Sequence, residues 1–246
     1  MSTGRRHALE RALSKAGLCS RTQARDLVRE GRVHLNGRVA RDPEEPCDPE
    51  RDEVRVDGRR LRENERVYVM LHKPRAYLTT REDPEGRHTV YELLANLDAW
   101  VVPVGRLDGD TSGLLLFTND TGFADLVTNP ASHVEKTYVV TTRPRLDAEA
   151  LARLAAGVEL EDGLTRPARV EKLGDRGRST RFSITITEGR NRQVRRMVRA
   201  VGAKVDKLHR HRIGPLEIGD LPLGAWRALT TAEVTALRAA ARSAKA

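Results

Sequence analysis

Asp108 and Asp110 stand in a short polar stretch, Gly105-Arg106-Leu107-Asp108-Gly109-Asp110-Thr111-Ser112, between the apolar runs 100–104 and 114–117. A loop carboxylate beside an arginine, partly shielded from water, stays ionised yet poorly solvated. That state suits a nucleophile or a base. Gly and Asp also build plain turns, because an Asp side chain bonds the nearby backbone. On residue types alone the plain turn is the stronger reading. A second candidate is Tyr138, two residues after Lys136. Taken by itself it reads as a core or edge aromatic. A third is the run Arg190 to Arg199, with five arginines and no acid. Arg192, Arg195, Arg196 and Arg199 have helical spacing, so one turn could offer an arginine to a carboxylate while others face phosphates. A solvated basic helix is the weaker reading of that run.

Metal chemistry finds little support. His209-Arg210-His211-Arg212 pairs two histidines but lacks nearby Cys or paired acids, so a basic strand facing a polyanion is the better reading. Cys19 and Cys47 are the two cysteines, too few for a disulfide scaffold or a four-cysteine zinc site. No P-loop or dinucleotide fingerprint occurs, and no cofactor is expected.

The chain has 246 residues, 44 Lys plus Arg and 35 Asp plus Glu, a net charge of +9. Thirty-seven of the basic residues are Arg, the better residue for bidentate phosphate contact. A GC-rich genome would supply the same excess without functional cause. The charge is unevenly placed. Residues 1–41 carry +7, residues 42–53 carry −6 and residues 181–212 carry +8. Two basic segments thus flank an acidic, Pro-containing loop, which points to a polyanionic partner. No run of eighteen apolar residues and no signal peptide is visible, so the expectation is a cytoplasmic protein without a membrane span.

The elements that must position these residues follow from periodicity. Leu9, Leu13 and Ala16 share a helical face that Gly17 ends. Ser20 caps a second helix running to Glu30, with Ala24, Leu27 and Val28 inward and Arg21, Arg25 and Arg29 on one outer face. That basic stripe, in a +7 segment, points to phosphate binding. Asn36-Gly37 between alternating residues marks a hairpin, and Val54–Gly58 repeats the strand-then-turn pattern. Strands are expected at 66–72, 100–104, 114–117, 138–141 and 181–187. In the last, Phe182, Ile184 and Ile186 face inward and Ser183, Thr185 and Thr187 outward. Asp147 caps a helix with Leu151 and Leu154 that Gly157 stops. Thr230 and Glu233 form a capping box for the last helix. The pattern is α+β, without internal repeats.

Two resemblances sharpen this. The run Ala16-Gly17-Leu18-Cys19-Ser20-Arg21 followed by Gly31-Arg32-Val33-His34-Leu35-Asn36-Gly37 resembles the small RNA-binding module named after a small-subunit ribosomal protein, the S-four domain. Residues 103–120 resemble, almost letter for letter, the motif G-R-L-D-x-D-T-S-G-L-L-L-x-T-N-D of the RsuA/RluB/RluE/RluF family of ribosomal-RNA pseudouridine synthases. Val134–Val140 is similar to that family's K-x-Y strand, and Thr187–Met197 to its E-G-R-x-R-Q-[IV]-R-R-M. The stretch from Leu71-His72-Lys73-Pro74 to Val90 also fits, except that Ala76 stands where the family has Gly. A turn there with φ > 0 would be strained by alanine.

The resemblance spans residues 5–235 and implies a division into an RNA-binding domain, 1–64, and a catalytic domain, 65–246, the latter with a mainly antiparallel mixed sheet and flanking helices. It implies isomerisation of uridine to pseudouridine in ribosomal RNA or a subunit precursor; a monomer is the simplest expectation, and the missing motifs point to no small-molecule cofactor. Asp108 would be the catalytic residue, Asp110 structural, Tyr138 the base-stacking ring, and Arg195 the contact that holds Asp108. Arg106, Lys136, Arg190, Arg192, Gln193 and Arg196, with Arg21 and Arg25 of the first module, would bind RNA. The uninterrupted passage from Asn119-Asp120 through 123–127 to Val134-Glu135-Lys136 favours large-subunit (23S) RNA. The alternatives are a small-subunit (16S) enzyme and a non-catalytic ribosome-assembly factor.

Overall fold

A computed structural model describes residues 6–48, 51–61 and 65–243. The chain forms two compact units, one of residues 1–67 with 98–102 and 118–121, the other of residues 68–97, 103–117 and 122–246. The expected division near Asn64 lies outside the described residues.

The first unit is a pair of helices on a small sheet. After β1 (His7–Ala8), α1 spans Leu9–Lys15 and α2 spans Arg21–Arg29. Leu9 and Leu13 are fully buried, and Gly17 ends the first helix with φ +74°. Ser20 and Gln23 form a reciprocal capping box at the start of α2. Ala24 and Val28 pack on Val33, Leu35 and Val54. The strands are β2 (Val33–Leu35), β3 (Arg38–Val39), β4 (Pro46–Cys47), β5 (Val54–Val56) and β6 (Arg59–Arg60). They form a β3-β2-β5-β6 sheet and a separate β1–β4 pair. Asn36 and Gly37 both have positive φ, as the predicted hairpin requires.

The second unit is built on nine strands. It contains β7 (Tyr68–Lys73), β8 (Val102–Val104), β9 (Ser112–Thr118), α3 (Thr121–Thr128), β10 (Lys136–Arg143), α4 (Ala148–Ala156), β11 (Glu159–Leu160) and β12 (Gly163–Leu164). It continues with β13 (Arg169–Arg176), β14 (Ser179–Ile186), α5 (Gln193–Ala200), β15 (Lys204–Ile213), β16 (Leu216–Glu217), β17 (Trp226–Ala228) and α6 (Thr231–Ser243). The sheet order is β13-β14-β10-β15-β9-β7-β17, with β16 on β15 and β8 on β9, while β11 and β12 form a hairpin apart. β9 and β15 pair in parallel; β10 is antiparallel to both β14 and β15. Alternation decides what each face does. Val140, Phe182, Ile184 and Ile186 point to α4 and α5 and join Leu154, Val194, Met197 and Val198 in one core. Leu114, Leu116 and Met70 join Phe123, Val127, Val134 and Leu237 in another.

Three expectations shift. The strand expected at 66–72 runs Tyr68–Lys73, and that at 100–104 keeps only Val102–Val104. Thr185, expected to face water, is 6% exposed. Its hydroxyl bonds that of Thr137 at 2.9 Å across the strand pair, so a polar residue is satisfied inside the sheet.

Gly113 lies where β9 and β15 approach most closely. A Cβ there would stand 2.2 Å from the Arg210 carbonyl oxygen, at φ +117°. Gly113→Ala should therefore lower stability by about 3 kcal/mol or more in chemical denaturation. At the other end of the unit, Glu233 accepts from the Thr230 backbone at 2.8 Å and from Arg227 at 2.6 Å. The Arg227 hydrogen bond holds its carboxyl down to about 2. A lowered carboxyl contributes fully above the ordinary value of about 4.3 and is lost as pH falls toward its folded value. Glu233→Gln should cost about 1 kcal/mol at neutral pH and flatten the acid limb of the stability curve in that window.

Candidate active site

The polar stretch predicted from sequence is a tight loop between β8 and β9, and its backbone is clamped from one side. Lys73, at the end of β7, is fully buried. Its ammonium donates to the carbonyls of Pro74 at 3.0 Å, Asp108 at 3.1 Å and Thr111 at 2.9 Å. Thr79 donates its hydroxyl to the Leu107 carbonyl at 2.7 Å and accepts from the Leu107 amide at 3.3 Å. The Ala76 amide donates to the Gly109 carbonyl at 2.7 Å. Ala76 takes φ +68°, the left-handed conformation its replacement of glycine raised as a concern. Burial pushes the Lys73 amine down to about 8 against the opposing attraction of Asp108 and Asp110.

α5 delivers the arginines. Arg192, at its N-terminal boundary with φ +47°, reaches the Asp108 carboxylate at 3.2 Å and the Asp110 carboxylate at 3.1 Å. Arg195, one turn on, donates to the Asp110 carbonyl at 3.0 Å and to Thr111 Oγ1 at 3.3 Å, and pairs with Asp110 Oδ1 at 3.1 Å. The expectation that Arg195 touches Asp108 is thus corrected. Arg192 is the arginine in ion-pair contact with Asp108, because Arg195 starts deeper and is spent on the loop backbone and Asp110. Burial raises the Asp110 carboxyl, but the Arg192 hydrogen bond and the Arg195 charge outweigh it and leave it below its ordinary value. Arg195 itself is lowered by burial. Its Nε is buried without a hydrogen-bond partner.

Asp108 opens on a cleft of about 440 Å³ that Arg106, Leu107, Tyr138, Ile186 and Arg192 also line. That volume lies within the range of about 300–1,000 Å³ usual for small-ligand pockets. Tyr138 is placed by β10, whose register sets it between Ile184 and Arg210. Lys136 is two residues away on the same face. Burial, then the Arg210 charge, lowers its amine to about 8. The cleft therefore joins a carboxylate on a rigid turn, a ring face and arginine charge. A carboxylate fixed this way can attack or accept a proton, and a ring beside it can hold a planar base.

Other residues expected to bind RNA are occupied otherwise. Arg190 donates to the carbonyls of Gly163 at 2.7 Å and Leu164 at 2.6 Å and to the Glu188 carboxylate at 3.2 Å. Arg196 is paired with Asp162. Gln193 is buried and accepts from the Arg190 amide. These side chains tie the β11–β12 hairpin and the start of α5 together, while Arg190 and Gln193 also line the Asp108 cleft and Arg196 lines a neighbouring channel. In the first unit Arg25 grips the buried Glu10, while Arg21 is exposed. Arg106 is exposed at the cleft. Among the described residues no cluster of three His, Cys, Asp or Glu could hold a metal, and both cysteines are free and buried. Sequence reasoning missed the clamp. The signal was a lysine placed at the end of an apolar strand, before Pro74.

Comparison with known proteins defines the class. The sequence model described as RNA pseudouridylate synthase matches residues 67–200, and that of the S4 domain matches residues 9–54. An uncharacterized RNA pseudouridine synthase of Aquifex aeolicus is 39% identical over 230 residues, 93% of this chain and 92% of its own. The ribosomal large subunit pseudouridine synthase B of Bacillus subtilis is 40% identical over 235 residues, 95% of this chain and 96% of its own. A crystal structure titled pseudouridylate synthase matches with TM-score 0.67 and 33% identity over 94% of this chain and 99% of that one. The chain belongs to the RNA pseudouridylate synthase family. It is an isomerase of RNA uridines with an S4 domain toward its N-terminus.

Replacing Lys73 by Met keeps the bulk but removes the ammonium donor from three carbonyl oxygens, of which that of Asp108 keeps the Thr111 amide. Thermal or denaturant unfolding should show a loss of about 2–4 kcal/mol. An amine lowered in the fold binds its proton more tightly when unfolded, so stability rises with pH from about 8 to the unfolded value. The variant should lose the Lys73 share of that rise.

Proposed function

We propose that the protein converts a uridine of large-subunit (23S) ribosomal RNA to pseudouridine, with Asp108 as nucleophile. The observation that carries the assignment of Asp108 is its position, on a clamped turn, paired with Arg192 and opening on the cleft that Tyr138 lines. The bond from ribose to ring nitrogen breaks, the uracil turns, and ribose is rejoined through a ring carbon that gives up its proton while the freed ring nitrogen takes one up. The sum of atoms and electrons is unchanged, so the chemistry calls for no redox partner. Asp108 supplies the covalent attachment that keeps the two halves together. Tyr138 packs against the uracil. Arg192 pairs with the carboxylate and orients it, and Arg195 acts through the loop it braces. Arg106 faces the RNA at the cleft mouth and occupies the place of the extracted base.

Extraction from a stack costs a few kcal/mol. Backbone contacts from both basic segments offset it. Arg21, on the exposed face of α2, and Lys136, beside Tyr138, belong to that set. The large-subunit address is supported by the names of relatives such as that from B. subtilis. In this reading the RNA-binding part ends near residue 64, the catalytic part follows, and one cytoplasmic chain does the work without a cofactor.

The test uses ribosomal RNA from a source strain lacking the protein. Carbodiimide labelling and primer extension locate pseudouridines after incubation with wild type or Asp108→Asn. Wild type should restore one large-subunit stop. The variant should fall by at least about 10³-fold in rate while retaining RNA affinity. A wild-type protein that binds RNA and restores no stop, on free RNA or immature subunits, would sink the assignment.

A further inference from the structure

Among the described residues, no helix covers Val139, Thr141, His209 or His211 on the face of the β14-β10-β15 sheet opposite α4 and α5. These side chains line an open groove of about 1110 Å³. The hairpin joining β13 to β14 forms one wall, with Arg176, Arg178 and Arg181, all exposed. Lys207 lies across from them on β15. None of these four cations pairs with a carboxylate among the described residues. The groove's own acids are Asp175, held by Lys172 at 2.7 Å, and Asp206, which stands 4.0 Å from Arg143.

Lining residues link this groove to the Asp108 site through a third hollow. A second basic channel, of about 980 Å³, runs along α5 and contains Arg75, Arg195, Arg199 and Lys204. Asn191 and Arg192 line both this channel and the Asp108 cleft. Arg143 and Asp206 line both the channel and the opposite groove. A chain of shared residues therefore leads from the cleft, past α5, around the sheet end where β10 stops and β15 begins, and onto the other face.

We propose that this path is an RNA track, along which a strand flanking the target uridine leaves the cleft and lies in the groove beneath Arg176, Arg178 and Arg181. The spacing of cations along an open channel suits a phosphate backbone better than a small ligand, which needs enclosure. The floor suits bases. His72 and His209 pack edge to face at 5.3 Å, and Val139, Leu173 and Ile218 add apolar contact. Burial and the neighbouring His72 and His211 hold His209 down to about 4, so its ring is neutral in ordinary buffers and available for stacking. The proposal rests on the isomerase reading only in taking RNA as the occupant.

The full-length protein is compared with the triple variant Arg176→Ala, Arg178→Ala, Arg181→Ala, and with Arg178→Glu as a second probe. Two RNAs are used: a large-subunit ribosomal RNA transcript and a short hairpin with uridines in its loop. Each lost phosphate contact lowers the salt slope by about 0.7 in a single strand and about 0.9 in a duplex. The triple variant should bind the transcript more weakly, with a log–log salt slope shallower by about two to three, and bind the hairpin like wild type. Arg178→Glu should weaken transcript binding in the same direction. The variants' melting temperatures should match wild type, since the altered side chains are exposed and unpaired. An unchanged transcript slope overturns the track, as does an equal loss on both RNAs. Isomerisation by wild type is scored on the same transcript. If it fails while the slope difference stands, the isomerase reading falls alone; if it succeeds without a slope difference, the track falls alone.

Discussion

The ammonium of Lys73 is the contact on which the cleft depends. An amine held away from water must be surrounded by acceptors, and this one takes them from the loop that carries Asp108. Its desolvation is unfavourable, and the loop geometry is what satisfies it. The relation runs both ways, because the ammonium joins the Asp108 carbonyl, which also accepts from the Thr111 amide at 3.0 Å, to the Thr111 carbonyl. Thr79 and the Ala76 amide complete the clamp at neighbouring carbonyls. A turn that composition alone marks as ordinary becomes a fixed platform, with its carboxylate set by backbone rather than by side-chain packing.

Above that platform, charge is shared unevenly. Two aspartates and two arginines nearly balance, but only Asp110 is held from both sides. Asp108 has a single ion pair, with the more exposed of the two arginines. Asp110 therefore behaves as the structural anchor that the family resemblance implies. Asp108 keeps an oxygen for other business. The unpartnered Arg195 Nε is the remaining cost of packing a guanidinium this deep.

Local signals in the sequence read well where a single side chain decides the backbone. Ser20 as a cap, Asn36-Gly37, Asp147 with Gly157, and Thr230 with Glu233 all act as predicted, and Gln23 completes the box at Ser20. Charge was harder to read. The arginines of residues 190–196 have one sequence pattern and three fates: Arg192 meets aspartates in the cleft, Arg195 braces a loop, and Arg190 and Arg196 fasten a hairpin around Asp162. Helical spacing states which residues share a face but not which acids the fold brings to it. Asp162 lies 28 residues from Arg190 and Glu10 lies 15 from Arg25, so helical spacing does not pair them, whereas Glu188 stands only two residues before Arg190. The Lys73 clamp was hidden for a related reason, since two of its three acceptors lie 35 and 38 residues downstream and all three are main-chain atoms.

On β10, Tyr138 and Val140 point toward α5 and the cleft, while Val139 and Thr141 point to the open groove. β15 divides likewise, with Leu208 on one side and His209 and His211 on the other. Strand geometry gives neighbouring residues opposite neighbourhoods. The two surfaces are therefore written in alternate letters of the same short segments. Substitutions at Val139 and Thr141 can drift without disturbing Tyr138 and Val140. One scaffold can keep its chemistry constant while the far face is rewritten, one residue in two.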